Sequence, residues 1–190
     1  LDRRFHAQPN ACPACGPKLW LTDNKGRTLC ENDEAIRSTA GLLMEGRLVA
    51  MKGLGGFHLV CDARDQGAVQ KLRDRKNRQD KPLAIMVRDL DAARALCILS
   101  EAEEKLLTGR QRPIVLVQAR PGTGLAPGLS PDTAFLGVML PYTPLHHVLF
   151  DELEQCDAKP TALVMTSGNV SSEPICLGNR EALRRLGDIA

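Results

Sequence analysis

Rings are scarce in this chain, with one Trp, one Tyr and four Phe among 190 residues. That is too few for the stacking platforms on which single-stranded nucleic acids lie. A formal net charge of +2 does not demand a polyanionic partner. The longest apolar runs fall far short of a bilayer span, so no membrane partner is expected. The start, Leu1-Asp2-Arg3-Arg4, has no basic-then-apolar leader and no initiator Met; the expectation is a cytoplasmic segment processed or cut from something longer. Seven Cys is an odd number, and Cys30, Cys61, Cys97, Cys156 and Cys176 stand singly. That pattern excludes a secreted disulfide framework and favours reduced thiols. No repeat of fixed period is visible. The Walker-type phosphate loop is missing, and Gly53-Leu54-Gly55-Gly56-Phe57-His58 puts His58 where the dinucleotide fingerprint needs its third glycine.

What is present is an ordinary globular composition, 43% hydrophobic and 25% charged, at a length that suits one domain. After a polar head to about Arg27, the pattern predicts a helix capped by Asp33, carrying Ile36, Ala40 and Leu43 on one face and ended by Gly46. A strand over 48–52, a glycine turn over 53–56 and an apolar stretch over 57–61 follow. Asp65 starts a helix with Val69 and Leu72 inward. Further strands are expected over 83–87, 114–118, 135–140 and 162–166. Helices are expected over 91–98, after the capping box Ser100-Glu101-Ala102-Glu103, from Pro144 carrying Leu145, Val148 and Leu149, and over 179–186. Strands alternating with helices give an α/β (α+β) class, an open twisted mixed sheet flanked by helices.

Charge is unevenly placed. Seven Lys or Arg against two Asp fall between Lys71 and Arg88, a local excess of five positive charges, which leaves about three negative elsewhere. Lys76, Arg78 and Lys81 crowd a helix end before a buried strand, and the point charge of Lys with the planar fork of Arg suits a phosphate or carboxylate. Read alone, the run is equally a solvated helix end that complements the helix dipole. Thr166-Ser167-Gly168-Asn169 follows an apolar strand, at the carboxyl end where ligands sit in open α/β sheets, or is an ordinary polar turn. The glycine loop at 53–56 is likewise a nucleotide-binding feature or a plain reversal.

Taken together in order and spacing, Lys76-Asn77-Arg78, Ser167-Gly168-Asn169 and Pro141-Tyr142-Thr143-Pro144-Leu145-His146-His147 resemble the YrdC family, with its K-x-R and S-x-N motifs, from about Ala35 to the end. Arg3-Arg4-Phe5-His6-Ala7-Gln8-Pro9, Cys12-Pro13-Ala14-Cys15-Gly16-Pro17 and Met51-Lys52-Gly53-Leu54-Gly55-Gly56-Phe57-His58-Leu59 look like the HypF-type carbamoyltransferases of nickel-iron hydrogenase maturation.

The resemblance implies the tail of a zinc-finger segment and linker over 1–30 and a YrdC-like nucleotide-binding domain over 31–190, cut short at its C-terminal end. Flanking acylphosphatase and Kae1-like domains belong to the full chain. The implied activity is ATP- and Mg²⁺-dependent conversion of carbamate, derived from carbamoyl phosphate, to carbamoyl-adenylate, for transfer to a HypE-type acceptor and cyanide ligand synthesis. Lys76, Arg78 and Lys81 would carry the chemistry. Lys52, Gly55, His58, Thr143, His146, Thr166, Ser167, Gly168 and Asn169 would bind nucleotide and substrate. The family finger holds Zn²⁺ with two CxxC pairs; this chain has only Cys12 and Cys15. A closed structural site needs four ligands, so an empty half-site is expected unless His6 and another group are recruited. The alternatives are a double-stranded RNA or tRNA-binding module, tracking phosphates with the basic run, and a threonylcarbamoyl-AMP synthase.

Overall fold

The computed structural model describes residues 16–78, 80–156, 162–170 and 173–190. Its elements are β1 (Trp20–Thr22), β2 (Thr28–Glu31), α1 (Asn32–Met44), β3 (Val49–Lys52), β4 (Phe57–Asp62), α2 (Gln66–Lys76), β5 (Ile85–Val87), α3 (Leu90–Leu96), β6 (Cys97–Ile98), α4 (Glu101–Thr108), β7 (Val115–Ala119), a single 3-10 turn (Pro127–Leu129), β8 (Phe135–Met139), α5 (Pro144–Cys156), β9 (Ala162–Ser167) and α6 (Asn179–Leu186). Among the described residues no helix is long and apolar enough to cross a membrane.

The unbroken apolar runs of β4, β5 and β9 belong to central strands covered on both faces. Seven strands form one mixed sheet in the order β3-β4-β9-β5-β8-β7-β6; β5 and β8 run parallel, and every other pair is antiparallel. On one face Leu59, Cys61, Ile85, Val87, Val138 and Val164 meet Val69 and Leu72 of α2 and Ala182 and Leu186 of α6. On the other, Met51, Val60, Met86, Leu163 and Met165 meet Ala40 and Leu43 of α1 and Leu149, Phe150 and Leu153 of α5. Each fully buried Leu, Ile or Phe in these layers contributes roughly 1.5–3 kcal/mol by leaving water.

Most expected elements form within a residue or two of their predicted bounds, and the differences have local causes. α1 starts after Glu31, with no side-chain cap; Asp33 lies inside the first turn, where its charge still complements the dipole. Gly46 takes φ +71 after the helix, as its sequence position implied. The strand expected over 83–87 is shorter: Leu83 and Ala84 precede it, and the Leu83 N–H bonds the Leu129 carbonyl of the 3-10 turn. The helix expected over 91–98 stops at Leu96, because Cys97 and Ile98 turn extended and pair with Ala119 and Gln118 as the sheet's last strand. Val148 is exposed; Leu149 and Phe150 form the inward face of α5. The head is not wholly irregular, since β1 and β2 make a two-stranded ribbon packed on α1.

The caps of α2 and α4 form as expected. The Asp65 carboxylate accepts the Ala68 N–H at 3.0 Å, and Ser100 and Glu103 make the reciprocal capping box. Asp65→Ala should lower the unfolding free energy in urea by about 1 kcal/mol with an unchanged m-value; an effect under a few tenths would show that the cap carries no weight.

Candidate active site

The carboxyl end of β9 and the C-terminus of α2 meet over one buried cation. Asn77 ends α2 in the left-handed conformation, φ 51, a region that Asn tolerates better than most residues. Lys76, in the last turn, faces inward and is 1% exposed. Its Nζ donates to the Ser167 carbonyl (2.5 Å), the Asn169 carbonyl (2.6 Å) and Asn169 Oδ1 (2.5 Å), with Ser167 Oγ at 3.4 Å. An ammonium has three hydrogens, so the three short contacts use all of them. Ser167 Oγ donates to Asn169 Oδ1 at 2.7 Å, and Asn169 Nδ2 donates to the Glu173 carbonyl at 2.5 Å. Burial, and next the nearby Arg78 charge, push the Lys76 pKa down to about 8.

Between these two residues Gly168 has no room for a side chain. A Cβ there would stand 2.6 Å from the Phe57 carbonyl oxygen, which already accepts the Gly168 N–H at 2.7 Å. The Cys176 N–H donates to the Gly168 carbonyl and the Phe57 N–H to the Cys176 carbonyl, both at 2.8 Å, lacing the turn to the start of β4. Thr166 is buried on the α2 side of the sheet, opposite Leu59 in register. The polar turn is therefore a set conformation.

The basic run is largely engaged with the protein itself. Buried Arg73 donates to the carbonyls of Gly128 (2.6 Å), Arg78 (2.9 Å), Lys81 (3.2 Å) and Leu129 (3.3 Å). Arg75 donates to the Ile189 carbonyl, and Arg88 pairs with Asp151 and Glu154 of α5. Arg78 is half-buried; Nη2 donates to the Pro82 carbonyl (2.8 Å) and Nε more weakly to that of Lys81 (3.4 Å), leaving Nη1 unpartnered among the described residues. Lys81 is exposed. The surplus charge read from sequence thus serves the fold first. Arg73, absent from the candidate set, secures the segment that presents Arg78 and Lys81; its place on the buried face of α2 beside Leu72 was the available signal.

His58 and His146 lie together on the α5 side of the sheet. His58 on β4 is the cross-strand partner of Ser167, so their side chains share a face. A Cβ on Gly53 would lie 2.9 Å from the His58 ring, which explains the glycine there. His58 Nε2 is 2.6 Å from the Tyr142 hydroxyl, and the Tyr142 ring packs edge-on against His146 at 4.6 Å between centroids. Burial holds the His58 pKa below its ordinary value and pushes that of His146 down to about 4, so both rings are neutral near pH 7. Thr143 lies at the start of α5, its Oγ1 accepting the His146 N–H at 3.3 Å. Lys52 turns to Asn179 Oδ1 (2.8 Å) and the Phe57 ring, and Gly55 lies exposed in the turn. Tyr142 is the participant that the residue-by-residue reading missed, although it stands inside a phrase quoted for the resemblance.

Cys12 and Cys15, with His6, lie outside the described residues. Among the described residues no group of three or more His, Cys, Asp or Glu could hold a metal ion. Cys61, Cys97 and Cys176 are buried free thiols, and burial pushes all three above the ordinary thiol value.

The Lys76 ammonium has a pH signature. Its folded pKa lies below the unfolded value of 10.5, so between about pH 8 and 10.5 the unfolded chain binds more protons and this group makes the fold more stable as pH rises. The burial cost is fully present below about 8. Relative to Lys76→Met, the wild-type unfolding free energy should climb through that window with a slope of up to about 1.4 kcal/mol per pH unit. Parallel pH profiles for the two proteins would contradict the assignment.

Comparison with known proteins places this geometry. The Sua5/YciO/YrdC family model, described as telomere recombination, matches residues 41–190, and the HypF finger model matches residues 1–22. The carbamoyltransferase HypF of Rhodobacter capsulatus is 50% identical over the whole chain, and the probable carbamoyltransferase HypF of Methanocaldococcus jannaschii is 39% identical over 91% of it. The chain spans about a quarter of the length of these relatives, 24% and 22%. A crystal structure of full-length HypF in a phosphate- and nucleotide-bound form superimposes with a TM-score of 0.85 at 47% identity, covering all of this chain and 24% of that one. T. kodakarensis HypF gives a TM-score of 0.90 at 38% identity, over 99% of this chain and 24% of that one. P. abyssi Sua5 complexed with L-threonine shares the fold alone, with a TM-score of 0.72 at 21% identity over 84% of this chain and 46% of that one. With the K-x-R and S-x-N segments meeting at one strand end of a matching fold, the chain belongs to the Sua5/YciO/YrdC family, and along its length it is similar to the HypF carbamoyltransferases.

Proposed function

We propose that this domain binds ATP and activates carbamate as carbamoyl-adenylate, one step of carbamoyl transfer in hydrogenase maturation. The observation that carries the reading is the junction of Lys76 with Ser167 and Asn169, beside the half-buried Arg78 fork. A nucleotide-bound relative supports it.

In this reaction a carbamate oxygen attacks the α-phosphorus, the bond to the bridging oxygen breaks, and pyrophosphate leaves. Carbamate is already an anion, so no general base is needed. Charge accumulates on the bridging oxygen, where fixed cations and donors lower the barrier most. Arg78 offers Nη1 and Lys81 a second cation. Ser167 and Asn169 orient the phosphate and carbamate oxygens on a turn that the Gly168 N–H ties to the Phe57 carbonyl, and Thr166 backs the turn. Lys76 acts from behind it: its ammonium, still the favoured form at pH 7 with a pKa pushed down to about 8, fixes the turn and adds a positive field. Lys52, Gly55, His58, Thr143 and His146 complete the walls. Mg²⁺ would come as the counter-ion of the ATP phosphates and would neutralise their charge.

The acceptor, a HypE-type protein, and the flanking acylphosphatase and Kae1-like domains belong to the same reading, as does zinc on a finger to which Cys12 and Cys15 contribute. Two CxxC pairs supply the four ligands such a site needs.

Calorimetric titration of ATP with Mg²⁺ tests the site. Arg78→Lys keeps the charge but loses the fork, so affinity should fall on the order of tenfold, about 1.4 kcal/mol. Asn169→Ala should cost ATP affinity and leave duplex RNA affinity untouched. Threonine should not bind with or without ATP. Intact ATP binding in both variants would overturn the assignment; loss of RNA affinity instead, or threonine binding enhanced by ATP, would move the domain to another branch of the family.

A further inference from the structure

A cavity of about 1040 Å³ lies along the edge of the sheet, and none of Lys76, Arg78, Ser167 or Asn169 lines it. Its walls include residues 48–52 and residues 18–24, each in unbroken succession. Successive residues of a strand point to opposite faces, so a cavity touched by every one of them runs along the strand's edge. β3 ends the seven-stranded sheet and β1 pairs only with β2, so two free strand edges line the one cavity. The register tells which groups look into it. The Gly53 N–H donates to the Gly56 carbonyl, so the bonds to β4 fall on Met51 and Val49, and the N–H and C=O of Ala50 and Lys52 point outward. The Leu19 carbonyl accepts the Asn32 N–H, which turns the Trp20 backbone away from β2 in the same way. None of these outward groups has a backbone partner among the described residues.

The walls are apolar on both faces of the sheet. Leu48 and Ala50 stand with Ala182 and Leu186 on one face, and Val49 and Met51 with Ile36 and Leu149 on the other. An extended peptide, whose side chains alternate between faces, finds an apolar wall for each. The charges sit at the ends: exposed Arg47 precedes β3 and exposed Lys52 closes it. Lys18 and Arg75 add to them, while the lining acids are Asp23, already paired with Arg27 at 2.7 Å, and Asp188. A strand occupies roughly 3.3 by 4.8 by 10 Å per residue, so the space admits about six residues. We propose that β3 takes up, as an added strand, an extended segment of a partner protein that is apolar in its middle and acidic at both ends. Backbone pairing with Ala50 and Lys52 supplies affinity, and the apolar walls and flanking cations choose the sequence. A second copy of this chain fits less well, because its own β3 edge is walled by the same β1–β2 ribbon. The proposal is independent of the adenylation reading.

Trp20, the one tryptophan of the chain, lines the cavity at 52% exposure and reports on it. The ¹⁵N-labelled chain would be titrated with a pool of capped hexapeptides carrying Glu at both ends and Val, Ile, Leu or Thr between, with the same pool ended by Lys as control. The Glu-ended pool should shift Trp20 emission to the blue saturably and slow hydrogen exchange at the Ala50 and Lys52 amides, and the Lys-ended pool should bind severalfold more weakly. Ala50→Pro deletes an outward N–H and should weaken the Glu-ended pool about fivefold. Arg47→Glu, exposed and outside the strand, should abolish or reverse the preference between pools at low salt, and it carries the test if Ala50→Pro disturbs the fold. No binding up to roughly 1 mM peptide, equal binding of the two pools, or unchanged exchange at Ala50 and Lys52 overturns the proposal. So does protection of those two amides in the free chain: at every concentration it shows the edge paired within the chain, and rising with concentration it shows a second copy as the occupant.

Discussion

A charged amine with almost no exposure is costly unless every hydrogen finds an acceptor, and Lys76 finds its acceptors only if the backbone after β9 turns back at Ser167 and Asn169. That condition fixes much around it. α2 must end at Lys76, which the left-handed Asn77 accomplishes. Residue 168 must be glycine, because the turn is pressed onto the Phe57 carbonyl. The central antiparallel pair β4–β9 must hold the register that sets His58 opposite Ser167. Anything that displaced the ammonium would leave a buried charge unpaired and free two carbonyls together.

The same condition separates supporting cations from those available to a ligand. Arg73 donates to backbone carbonyls, Lys76 to two carbonyls and the Asn169 side chain, Arg75 through Nη1 to the Ile189 carbonyl, and Arg88 pairs with the acids of α5. Arg78 keeps an unpartnered Nη1 and Lys81 stays exposed. A run that carries five excess positive charges in sequence therefore presents a narrower, directed positive face.

Much of this was legible in the residues. The caps at Asp65 and Ser100, the buried strands around Val60 and Val164 and the polar turn at a strand end follow from local chemistry and periodicity. What escaped is of two kinds. Leu96-Cys97-Ile98 carries no signal that distinguishes the end of a helix from a short edge strand, because the pairing with Ala119 and Gln118 is a long-range choice. The division of labour within the basic run escaped in part for the same reason: Arg73 shares the buried face of α2 with Val69 and Leu72, but the carbonyls that Arg73 and Arg78 meet are set by the tertiary structure. Tyr142 was within reach, as the one tyrosine in a chain poor in rings, but its meaning depends on His58, 84 residues away.

The central claim is that Lys76 and Asn169 act on the nucleotide as one unit, and a double-mutant cycle on ATP affinity tests it most directly. Lys76→Met, Asn169→Ala and the double variant would be titrated with ATP and Mg²⁺ under one buffer. If the ammonium works through the turn, the double variant should lose little more than the worse single, with a coupling energy of about 1 kcal/mol or more. Losses that simply add would show that the two residues act on the nucleotide independently, and would contradict the account.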